Sequence, residues 1–80
     1  MTFNERLKKD INWSKYTNKE IALYCNVSES KLYAWKAGKK YPDVHHLWRL
    51  SQLLHSQTST LHHVKGQFFI YVKMIDSERK

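Results

Sequence analysis

The chain has little of several things that would divert its reading. Across 80 residues it carries one cysteine, Cys25, one proline, Pro42, and two glycines, Gly38 and Gly66. A lone cysteine leaves no internal disulfide framework and no thiolate metal cluster. At an inward position it reads as a small buried hydrophobe. No repeat, Pro/Gly-rich linker or low-complexity segment divides the chain. No apolar run approaches the roughly 20 residues of a membrane span, and the opening MTFNERLKKD lacks the apolar centre of a signal peptide. The expectation is one small cytoplasmic domain, near the lower limit for a chain that folds unaided, with no membrane partner.

Acidic residues are also scarce. Seven Asp/Glu face 14 Lys/Arg, a formal net charge of +7. The imbalance is uneven: residues 1–40 hold nine Lys/Arg against four Asp/Glu, and residues 41–80 hold five against three. Such charge suggests a polyanion, nucleic acid first, with simple solubility as the plain reading. Charge alone does not choose between them.

The equipment of catalysis is missing too. There is no Gly-rich phosphate loop, no paired carboxylate on one helical face and no activated Cys/His pair, so no enzyme is expected. Two of the five histidine positions form the pair His45-His46 and two form His62-His63, with His55 alone. Neighbours on a helix project about 100° apart, whereas a chelating pair on one face wants a spacing of three or four. His55, at a helix C-terminus, reads as a dipole partner when protonated. No metal, cofactor or small-molecule ligand is expected.

What is present is organised around TNKEIALYCNVSESKLYAWKAG, Thr17 to Gly38. Ile21, Ala22 and Cys25 line the inner face of one short helix, Val27 plugs a turn, and Leu32 and Trp35 face inward from a second. Ala22 is small where the two helices cross. The turn falls at Asn26, a residue type that tolerates a left-handed backbone. Thr17 with Glu20 forms a capping box, Ser28 caps the second helix, and Gly38 supplies its left-handed stop.

This stretch resembles the DNA-binding core of the Cro/phage-repressor, or XRE-like, helix-turn-helix family. The shared pattern is Ala22, Asn26-Val27, Ser28, Leu32, Trp35 and Gly38, then Lys39-Lys40 and Pro42, and it extends more loosely from Leu7 to Leu61. Three positions depart from it. The usual turn glycine is Asn26, the Gln that often opens the first motif helix is Asn18, and the acidic residue commonly following the aromatic is Lys36. The resemblance implies that early outward residues of the second helix enter the major groove. Ser28, Glu29, Ser30, Tyr33 and Ala34 are then the base-reading candidates. Glu can accept from a cytosine amino group, Ser can donate or accept, and Ala can touch a thymine methyl. Asn18, Lys19, Lys31, Lys36, Lys39 and Lys40 are the phosphate candidates, the first two at a helix N-terminus and the last two on the loop beyond Gly38.

Around the motif, Phe3, Leu7 and Ile11 predict a helix over about 4–13. Pro42 and Asp43 read as the start of a helix over 44–55, in which Val44, Leu47, Trp48, Leu50, Ser51 and Leu54 cover more than one face. A short fifth helix begins near Gln57 to Ser59, and Leu61 closes the domain. Past Gly66 the run QFFIYVKMI is β-branched and aromatic, and predicts a strand over Gln67–Ile75, followed by a frayed tail. A lone strand has no ladder partner within the chain, so a second copy is expected to supply one through Phe68, Phe69, Ile70, Tyr71 and Val72.

The sequence therefore predicts an all-α, five-helix Cro/repressor-like helix-turn-helix domain over 1–65 with a C-terminal dimerisation strand over 66–80. The expected function is sequence-specific binding of double-stranded DNA by a homodimer on a near-palindromic operator, most simply as a repressor. Controller proteins of restriction systems and antitoxin autoregulators share the fold and size. A protein-binding adaptor that reuses the motif as a scaffold is the reading from another class.

Overall fold

Phe3, Leu7 and Ile11 recur at helical spacing, and they are the buried face of the first helix, α1 (Phe3–Trp13). Thr2 caps it, with Glu5 returning a bond to the cap backbone. The computed structural model describes residues 1–54 and 61–79, apart from the side chains of Leu61 and His62. Four more helices follow: α2 (Asn18–Cys25), α3 (Glu29–Lys36), α4 (Val44–Leu54) and α5 (Leu61–Glu78). One core joins all five, built from Phe3, Leu7, Ile21, Leu32, Trp35, Leu50 and Tyr71 at its most enclosed positions.

In α4, Leu47, Leu50, Ser51 and Leu54 are buried. Ser51 is tolerated there because its hydroxyl donates to the Leu47 carbonyl at 2.8 Å. Val44, expected among the covered residues, is instead 65% exposed. The expected helix start near Gln57 to Ser59, the dipole role of His55 and the packing of the Leu61 side chain lie outside the described residues.

The C-terminal segment corrects the sequence reading. Gln67–Ile75 is no strand; it is the middle of α5, an 18-residue helix. Tyr71 and Ile75 belong to the core, with Val64 and Gln67 buried behind them and Phe68, Val72 and Met74 packed at its edge. These positions follow helical, not alternating, spacing. A helix also satisfies its backbone groups internally, which a lone strand cannot do. β-propensity is a weak preference, and burial of two large side chains, about 1.5–3 kcal/mol each, outweighs it. The proposed boundary at 65/66 therefore falls inside a helix, and 66–79 is part of the same unit.

Polar ties fix α5 at both ends of its contact with α1. Asp10 Oδ2 accepts from Tyr71 Oη at 2.6 Å and from Gln67 Nε2 at 3.2 Å, while Arg6 Nε pairs with it at 3.0 Å. Burial, reinforced by Asp10, pushes the Tyr71 phenol far above its ordinary value, so it stays a donor. At the other end, Glu78 accepts from the Phe3 backbone N–H and from Tyr41 Oη, the latter at 2.8 Å. The residues expected to fray are thus ordered through Glu78.

Candidate nucleic-acid interface

The turn between α2 and α3 is set by two backbone features. Asn26 sits in the left-handed region at φ 59° and ψ 44°, and its N–H reaches back to the Ala22 and Leu23 carbonyls. Val27 N–H adds a bond to the Ala22 carbonyl at 3.0 Å, completing a left-handed helix stop. The chain then becomes extended at Ser28, whose hydroxyl accepts from Lys31 N–H at 3.2 Å and starts α3. Ser28 is exposed, but its hydroxyl is occupied by this cap.

α3 ends the same way. Gly38 has φ 79°, and the N–H groups of Gly38 and Lys39 reach the Trp35 and Ala34 carbonyls at 3.2 and 3.0 Å. A Cβ at Gly38 would also stand 3.2 Å from the Asn4 side chain. Conformation and space both call for glycine here. Lys39 and Lys40 follow directly on the exposed loop.

Between these stops, α3 has two distinct sides. Leu32 and Trp35 are fully buried. Glu29, Ser30, Lys31 and Tyr33 are exposed, and Ala34 is half-buried. Lys19, Lys31, Lys39 and Lys40 are exposed around this side and take no ion pair among the described residues. The side has no large aliphatic residue. Thr17 Oγ1 accepts from Glu20 N–H at 3.1 Å, and no bond among the described residues uses the Asn18 or Lys19 N–H groups at the start of α2. Such N–H groups favour an anion.

One cluster has no counterpart in the sequence reading. Lys36 Nζ donates to Asn18 Oδ1 at 3.1 Å and lies 5.4 Å from the Tyr33 ring centroid. Asn18 Nδ2 in turn reaches Tyr33 Oη at 3.4 Å. Two of the three departures from the family pattern, Asn18 and Lys36, therefore touch each other. A contact between residues 18 apart in sequence leaves no periodic trace, so only the tertiary crossing of α2 and α3 reveals it.

Cys25, inside the motif, is a core side chain; burial pushes its thiol up to about 11, so it is neutral at ordinary pH. Of the five residues assigned to dimerisation, Tyr71 is fully enclosed within its own chain and Phe68 and Val72 are partly covered by it. They cannot form an intermolecular ladder from a helix. Phe69 and Ile70 remain exposed. Among the described residues, no three His, Cys, Asp or Glu side chains come together in an arrangement that could hold a metal ion, and no helix is long and apolar enough to cross a membrane. Comparison with family models, curated proteins and solved structures finds no match to this chain.

Proposed function

We propose that the chain is a helix-turn-helix protein that binds double-stranded DNA in a sequence-specific way and regulates transcription, most simply as a Cro-type repressor. The observation that carries this reading is the exposed side of α3. It is short, polar, free of large aliphatic side chains and bordered by Lys19, Lys31, Lys39 and Lys40. An α-helix of this size fits the major groove, and lysines on flanking loops meet phosphates. In this reading Glu29, Ser30, Tyr33 and Ala34 face base edges, while Asn18 and Lys36 hold Tyr33 in place. Ser28 serves chiefly as the cap that aims the helix. Controller proteins and antitoxin autoregulators would use the same chemistry.

Pairing of two copies, which a near-palindromic operator needs, passes from a strand to the outer side of α5. Gly66, Phe69 and Ile70 are exposed there at helical spacing. A two-fold pair would set its recognition helices about 34 Å apart. Selection from randomised duplexes, followed by titration of the enriched sequence at several salt concentrations, tests the function. A common motif bound with a steep negative salt slope supports it; no enrichment over the starting pool refutes it. Sedimentation of the intact chain and of Phe69→Glu tests the pairing, which predicts a dimer converted to a monomer.

A further inference from the structure

A groove of about 720 Å³ opens between the C-terminal turn of α2, the first turns of α4 and the middle of α5. No α3 residue lines it, so an occupant of the groove would leave the DNA-reading side of α3 uncovered. Three aromatic side chains line it: Trp48 and Phe68 meet edge to face at 5.3 Å, and Tyr24 joins them. Tyr24 is held by a bond from its hydroxyl to Gln52 Oε1 at 3.0 Å. The Arg49 guanidinium lies 5.7 Å from the Tyr24 ring centroid and donates to the Tyr24 carbonyl at 3.3 Å. His45, Gln52 and the exposed Val44 also line the groove.

The chemistry of this lining selects the occupant. Arg49 is the charged side chain of the lining, and among the described residues no carboxylate lines the groove and no acid pairs with Arg49. A second copy seated with the same groove facing this one would set its Arg49 against this Arg49, with no carboxylate in the lining to pair either, which electrostatics disfavours. A nucleic-acid backbone wants a file of cations along its path, and here one arginine stands beside apolar Val44, Trp48 and Phe68. Apolar Val44, Trp48 and Phe68 beside Arg49 in a lining that also holds Tyr24, His45 and Gln52 match an acidic segment carrying a hydrophobic anchor. We propose that this groove binds an acidic peptide segment of a partner protein, its anchor against Trp48, Phe68 and Val44 and a carboxylate on Arg49. The chain would then hold a protein partner on a surface separate from α3.

The test uses the full chain and a fluorescein-labelled helical peptide bearing about four aspartates on one face and three leucines on the other. Fluorescence anisotropy should show saturable binding that Arg49→Glu and Val44→Glu each weaken by about tenfold, with melting temperatures confirming that both variants fold. Lys39→Glu makes the same charge change outside the groove and should shift affinity less than about twofold. A peptide with lysines for aspartates, or serines for leucines, should not bind. Equal loss on Lys39→Glu, or equal binding of the lysine peptide, would overturn the proposal as non-specific attraction. Displacement of the peptide by duplex DNA would assign the groove to nucleic acid instead. Self-association in sedimentation that Arg49→Glu abolishes would assign it to a second copy, and would overturn the proposal equally.

Discussion

Lys36 Nζ donates to Asn18 Oδ1 at 3.1 Å, tying the last residue of α3 to the first of α2. The pair closes the open side of the motif opposite the turn at Asn26. It also carries Tyr33, whose ring lies under Lys36. If the pair acts as a unit, Asn18→Ala and Lys36→Ala are not additive. A double-mutant cycle by chemical denaturation should give a coupling energy of about 0.5–1 kcal/mol, modest because the groups are partly solvated. Additivity within error would mean that the two side chains do not cooperate.

Groove contacts and backbone contacts respond differently to substitution. Changing Ser30 or Ala34, one turn apart on the exposed side of α3, should alter which duplex is preferred, by about 1–3 kcal/mol per affected base pair. Lys39→Ala or Lys40→Ala should weaken binding to all duplexes alike and lower the salt slope by about one each. Competition titrations over single-base variants of a selected site read both effects. Changed preference from Lys39→Ala, with none from Ser30 or Ala34, would reverse the assignment.

Tyr71 ties α5 to α1 through Asp10, so the C-terminal helix is structural. Tyr71→Phe keeps the ring but removes a hydrogen bond to a carboxylate, and should cost about 1.5–3 kcal/mol in denaturant titrations. Truncation after Lys65 removes Tyr71 and Ile75 from the core and should abolish cooperative unfolding. A truncated chain that still melts cooperatively would return this segment to the role of a separable tail.

Acid sensitivity follows from two helix starts. The Glu5 carboxyl is held below its ordinary 4.5, chiefly by the Thr2 backbone N–H, and Asp43 below its ordinary 3.8, chiefly by the His46 backbone N–H. Both folded values are depressed, so each contribution is fully present above the ordinary value and is lost as pH falls through the folded one. Melting temperature should therefore begin to fall on acidification near pH 4.5, from Glu5 first. Glu5→Gln, which keeps a capping side chain, should flatten that limb, its gap from the parent closing as pH falls through the depressed folded value of Glu5. A gap that stays constant would place the acid transition elsewhere.

The helices α2 and α3 and the turn between them are legible in the sequence because their determinants are local. Caps at Thr17 and Ser28, the left-handed residues Asn26 and Gly38, and the inward spacing of Leu32 and Trp35 all act within a few residues of themselves. The start of α1 obeys the same logic through Thr2 and Glu5. α5 is misread from sequence because Phe69, Ile70, Tyr71 and Val72 favour a strand locally while burial of Tyr71 and Ile75 demands a helix. The Val64–Tyr71–Ile75 spacing carries that information, but the exposed Phe69 and Ile70 obscure it. Contacts spanning the chain, Asp10 with Tyr71 and Tyr41 with Glu78, have no local trace at all.

The exposed side of α3 is the surface proposed to meet DNA. Amide chemical-shift mapping of the full chain, titrated with a duplex enriched from a randomised pool, addresses it most directly. The largest shifts are predicted at Asn18-Lys19, Glu29 to Ala34 and Lys39-Lys40, with the Trp48 and Phe68 amides little changed. Large shifts confined to α4 and α5, with α3 silent at saturation, would contradict it.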